Sequence, residues 1–157
     1  MKNVCKIMVL ILFVACTCFI LFLSGQDGEE AFDTTYEIAK PVADVVYEEP
    51  SNDQVEDVML TNRNSGRVIA FLVFGGLLSL NIHLWTTFSW QYKAILISVI
   101  SIVFSVFDEV HKLAIDGRHC TFAEIVVNIL CSMIAGLAVC FVCNRFSKGC
   151  KEDKPLI

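Results

Sequence analysis

Four long apolar stretches run through this chain, and two of them are almost free of charge over lengths that match a bilayer. Residues 7–26 carry no ionisable acid or base, and residues 68–92 carry none except His83. A helix needs about 20 apolar residues to cross a hydrocarbon core roughly 30 Å thick. No water is available there to satisfy backbone N–H and C=O groups, and segments of this length satisfy their own only as helices. The expected fold class is an all-α integral membrane protein with four transmembrane helices. Composition agrees, since 55% of the residues are hydrophobic and only 18% are charged, against about a quarter charged in a soluble domain.

Charge is segregated along the chain. Residues 27–62 hold eleven acids against the single base Lys40, a net of −10, whereas the remaining eleven bases and six acids are net +5. The overall −5 therefore describes neither part. We read residues 24–66 as an acidic extracytoplasmic loop, mostly solvated because thirty-odd residues cannot bury a useful core alone. Apolar periodicity over residues 31–46 allows a short surface helix there, broken at Pro41. An acidic loop on a membrane protein argues against nucleic acid and leaves the lipid bilayer as the first partner.

Residues 1–23 form the first span, with Lys2 and Lys6 ahead of it. A cleaved signal peptide is the competing reading, but the apolar run continues to Leu23, beyond the roughly 7–15 residues of a signal core. We expect an uncleaved anchor. Residues 68–84 make the second span. Gly75 and Ser79 form a small-x-x-x-small pair for close helix approach, and Trp85, Trp90 and Tyr92 form an interfacial aromatic belt. His83 beside that belt is expected to hydrogen-bond at the interface. The third span, residues 94–107, reaches full length if Lys93 snorkels and residues are borrowed from either end. Ser98, Ser101, Ser105 and Asp108 share one of its faces.

A polar hairpin joins the third span to the fourth, at residues 122–144. It is expected to turn at Asp116-Gly117, and Thr121-Phe-Ala-Glu124 reads as a capping box. Glu124, Asn128, Ser132 and Gly136 follow one face of the fourth helix. Antiparallel neighbours would bring Asp108 and Glu109 level with Glu124 and Asn128, with Lys112 one turn from Asp108 and able to pair with it. Ionisable groups at the mouth of a bundle are costly to desolvate and mark functional sites. The candidate cluster is Asp108, Glu109, His111, Lys112, Arg118, Glu124 and Asn128.

Eight cysteines are present, most of them in apolar runs where Cys is a small hydrophobe. Cys140-Phe-Val-Cys143 has C-x-x-C spacing, yet a zinc site needs a second pair and only Cys150 is near. No metal and no cofactor is expected. Residues 145–157 form a basic tail. With Lys2, Lys6 and Lys93 on the same side as this tail, the positive-inside rule places both termini in the cytoplasm and turns the hairpin outward.

Asp108-Glu-x-His-Lys-x5-Arg118-x5-Glu124-x3-Asn128 resembles the signature of the VanZ-like family, roughly D-E-x-H-Q, a loop ending in G-R, then D-x-x-x-N. Gly117-Arg118 match the loop. Lys112 stands for the usual Gln, Asp116 for Pro, Glu124 for Asp and Cys131 for Gly. Ser24-x-Gln26-x-Gly-Glu-Glu30 is similar to the S-x-Q-x-G-E-E that follows the first span in many members. The second span departs. Where the family pattern reads R-K-x-x-H-F-x-E-Y-x-x-L-G, only Arg63 and Gly75 match outright, Phe71 stands for Tyr, and Arg67 and Ala70 occupy the His and Glu positions. The order and spacing of spans also fit, so residues 67–144 are identified as a VanZ-like region.

The resemblance implies a bacterial cytoplasmic-membrane protein linked to glycopeptide (teicoplanin) susceptibility. In the favoured reading it binds or shields a cell-wall precursor or glycopeptide at the outer face, with Arg118 and Lys112 meeting an anion. The alternative is an enzyme acting on lipid-linked or cell-wall substrates, with Asp108, Glu109 and His111 as acid/base groups or as metal ligands with Glu124. A third possibility, a transporter or channel subunit, rests on the serine stripe alone. A purely structural role also stays open, because salt bridges that tie helices together use the same residue types.

Overall fold

A computed structural model describes residues 2–26, 28–47, 51–115 and 120–152. Among these every regular element is a helix, with α1 Lys2–Gly25, α2 Gly28–Val46, α3 Asn52–Trp85, α4 Trp90–Lys112 and α5 Phe122–Glu152. Four of the five, α1, α3, α4 and α5, are long and apolar enough to cross a membrane. Large apolar side chains such as Ile11, Phe22, Val103, Ile134 and Phe141 stand exposed around the bundle, where lipid rather than water is their solvent. The third span does borrow from both ends, since α4 begins at Trp90 and ends at Lys112.

The acidic segment differs from expectation. Instead of a mostly solvated loop broken at Pro41, α2 runs through that proline, and α3 is already helical from Asn52. Two local causes are visible. Ala39 and Ala43 are fully buried against Val55 and Met59, so a small helix–helix contact holds α2 despite the proline. Ser51 caps α3 as a capping box, its hydroxyl accepting from the Gln54 N–H at 3.4 Å and its own N–H donating to Gln54 Oε1 at 2.9 Å. Ser51-Asn-Asp-Gln54 carries that signature in plain view. With 34 residues, α3 is about 50 Å long at 1.5 Å per residue. It therefore outruns a 30 Å hydrocarbon core by several turns.

Aromatic rings fill the centre. Phe74 stacks on Phe104 with centroids 4.3 Å apart, and Phe71 and Phe13 lie within 6.0 Å and 5.4 Å of the same pair. Cys140 packs into this core with Ile20, Leu78, Ile82 and Ile97.

Small residues set the most extensive interface, between α3 and α5. Gly75 lies directly against the Ser132 backbone, and a Cβ on Gly136 would meet Ile97 Cγ2 at 2.6 Å and the Gly75 carbonyl at 3.1 Å. At one end of the bundle Lys6 sits 5.5 Å from the Trp85 ring centroid. Close by, Lys93 Nζ approaches His83 Nδ1 at 3.4 Å, so Lys93 is buried rather than free and His83 hydrogen-bonds as expected. Asp108 and Glu109 of α4 and Glu124 of α5 lie at the opposite end.

Candidate functional site

Lys112 is the hub. It occupies the last turn of α4, three and four residues after Glu109 and Asp108, so all three share one helix face. Its ammonium contacts Glu109 Oε1, lies 3.6 Å from Asp108 Oδ2 and reaches across to Glu124 Oε2 on α5 at 3.4 Å. Glu109 also accepts from Asn128 Nδ2 at 3.4 Å. Asp108, Glu109, Lys112 and Asn128 are buried. The expected meeting of the two helices across the hairpin is present.

Arg67 completes the network from α3. Its Nη1 lies 2.6 Å from Glu124 Oε2, so the group in the family's His position is an ion-pair partner of the hairpin. The candidate cluster above omitted it, and charge alone would not have found it. The signal was positional, an altered site in the second-span pattern. Ala70, one turn further, carries no polar group.

His111 is exposed, with its ring 6.2 Å from that of Phe107 and its Cε1 against Gly25 at the end of α1; among the described residues it makes no hydrogen bond or ion pair to the carboxylates. Arg118, with the Asp116-Gly117 turn and His119, lies outside the described residues. Among the described residues no group of three or more His, Cys, Asp or Glu is placed to hold a metal ion.

The network is incomplete in one respect. Asp108 Oδ1, Glu109 Oε2 and Asn128 Oδ1 are buried without a hydrogen-bond partner among the described residues, as are the Ser101 and Ser105 hydroxyls deeper along α4. An unsatisfied buried polar atom costs about 1–3 kcal/mol, so these atoms mark where the interior is polar beyond what its own pairs require.

Beside the network lies a cavity of about 300 Å³ whose lining includes Ser24, Gln26, Arg63, Arg67, Asp108 and Lys112. Ser24 and Gln26 come from the stretch after the first span, Arg63 and Arg67 from the second-span stretch, and Asp108 and Lys112 from the hairpin. All three stretches that carry the family resemblance therefore converge on one cavity.

A family model described as VanZ/LLP1 matches residues 8–144, most of the chain. No curated protein and no solved structure matches it.

Proposed function

Because the chain belongs to the VanZ/LLP1 family, we propose that it is a bacterial envelope protein that lowers glycopeptide susceptibility, to teicoplanin in particular, by binding or shielding a surface ligand. The convergence of three separate sequence stretches on one cavity carries this reading. Basic residues support an orientation: Lys2, Lys6 and Lys93 and the four bases of residues 145–157 belong to one end of the spans, and the positive-inside rule favours that end as cytoplasmic, with the cavity outward. Binding needs no reactive group. The enzymatic alternative asks His111 to work with Asp108 and Glu109, whereas its exposed ring lies against Gly25 and both carboxylates turn to Lys112.

The test is teicoplanin susceptibility of a sensitive Gram-positive host expressing the chain, compared with Asp108→Ala and Arg67→Ala at matched membrane abundance. Protection by the parent that disappears in both variants supports the reading. A parent that gives no protection sinks it, and protection untouched by both variants reduces the network to a tie between helices.

A further inference from the structure

We infer that the cavity seats an anionic amphiphile, with a phosphate head at Arg63 and Arg67 and a hydrocarbon chain against Leu23 and Ile38. This rests on the ligand-binding reading above and gives it a chemical class.

The charge of the lining makes the first argument. It holds three cations, Arg63, Arg67 and Lys112, against the single carboxylate Asp108. Lys112 is committed to Asp108, Glu109 and Glu124. Arg67 gives one terminal nitrogen to Glu124, which leaves the rest of its donor fork. Arg63 is exposed and has no ion-pair partner among the described residues. Arg63 and Arg67 are four residues apart on α3 and so present guanidinium groups on one face. Planar forks at this spacing suit a phosphate, whose oxygens accept paired N–H donors.

Space is the second argument. Gly66 and Ala70, also four residues apart, lie on the same stretch of α3 and line the same cavity. A Cβ on Gly66 would meet nothing within 4 Å. The helix thus leaves volume open beside its two arginines. At about 300 Å³ the cavity is at the small end of ligand sites, enough for a head and the first methylenes of one chain.

The apolar side of the lining decides between an amphiphile and a free anion. A soluble phosphate would use the arginines and leave the exposed side chains of Leu23 and Ile38 on the lining without an apolar partner. The cavity also sits where α1 and α4 end, the depth at which head groups lie, and basic pockets between membrane helices hold anionic head groups.

The experiment is native mass spectrometry of the full chain in a neutral detergent, titrated separately with dodecyl phosphate, inorganic phosphate and dodecyl glucoside. One dodecyl phosphate per chain is expected, with inorganic phosphate at least about tenfold weaker and no saturable adduct from the glucoside, a difference of 1.4 kcal/mol or more. Arg63→Gln, at an exposed side chain, should weaken dodecyl phosphate about tenfold with helical content unchanged. Ala70→Glu, which adds a carboxylate to the lining, should do the same. Equal affinity in the parent and both variants would overturn the proposal, as would equal binding of the glucoside. Inorganic phosphate binding as tightly as dodecyl phosphate would make this a site for a soluble anion and overturn the amphiphile. A chain that binds dodecyl phosphate but gives no teicoplanin protection loses only the glycopeptide reading, and one that protects without binding loses only this one.

Discussion

Arg67 Nη1 and Glu124 Oε2 stand 2.6 Å apart, joining α3 to α5 close to where both meet the last turn of α4. The side chains are 17% and 30% exposed, between a surface pair worth about 0.2–1 kcal/mol and a buried charged hydrogen bond worth about 1.5–3 kcal/mol. A double-mutant cycle of Arg67→Ala and Glu124→Gln, read by reversible unfolding in mixed micelles, should give a coupling energy of about 1 kcal/mol. Additive single effects would show that the two side chains do not support one another.

Lys112 should be far less tolerant. It is the cation that faces both Asp108 and Glu109, which are 1% and 0% exposed. Lys112→Met leaves two buried carboxylates unpaired, and removing one partner of a buried pair costs about 3–5 kcal/mol. Adding Glu109→Gln to Lys112→Met should recover part of that loss, because one orphaned charge is gone. Unfolding midpoints of the three variants in the same detergent check this, and a Lys112→Met protein as stable as the parent would refute it.

These residues also show what could be read from the chain. Asp108, Glu109, Lys112, Glu124 and Asn128 were legible because helical spacing and a short antiparallel connection fix which side chains can meet. The spans were legible because uncharged runs of bilayer length have few alternatives. His111, three residues from Asp108, carries an exposed ring beside Phe107 and Gly25, while Asp108 and Glu109 turn inward to Lys112. Arg67 was hidden because its partner Glu124 is 57 positions away, a separation that no local pattern encodes. The helical acidic segment was missed for a different reason. Two alanines packing on Val55 and Met59 outweigh the proline locally, and the Ser51 cap was present but not weighed.

That cap gives a local prediction. Ser51→Ala removes the acceptor for the Gln54 N–H, and loss of such a cap costs about 1 kcal/mol. The effect should be confined to the start of α3 and to α2, which packs on it. Hydrogen exchange should rise over residues 52–59 and stay unchanged in α4 and α5. Uniform loosening of all helices would mean that the cap acts on the whole bundle.

The proposed orientation can be tested on two exposed positions at opposite ends of the bundle. Val45 is 86% exposed on α2 and Phe88 is 57% exposed in the α3–α4 connection. In a chain with its native cysteines replaced, Val45→Cys should react with a membrane-impermeant maleimide on intact cells. Phe88→Cys should react only after lysis. The reverse pattern would turn the cavity to the cytoplasm and remove the basis for action at the cell surface.

The α3–α5 seam yields the sharpest contrast between two glycines on one helix. A Cβ on Gly75 would overlap the Ser132 carbonyl oxygen and come within 2.7 Å of the Ser132 carbonyl carbon and Cα. Backbone atoms cannot rotate away as a side chain could, so Gly75→Ala must push the two helices apart. Overpacking of this kind costs about 1–3 kcal/mol, occasionally more, and here it would also strain the Gly136 contact with Gly75. Gly66 is nine positions earlier in the same helix and has open space where its Cβ would be. Gly66→Ala should therefore stabilise by about 0.5–1 kcal/mol, through the backbone freedom that glycine loses on folding. Unfolding midpoints that move down for Gly75→Ala and up for Gly66→Ala would confirm that close approach, rather than helix propensity, is what holds glycine at Gly75. Equal shifts in the same direction would show the seam to be looser than its geometry implies.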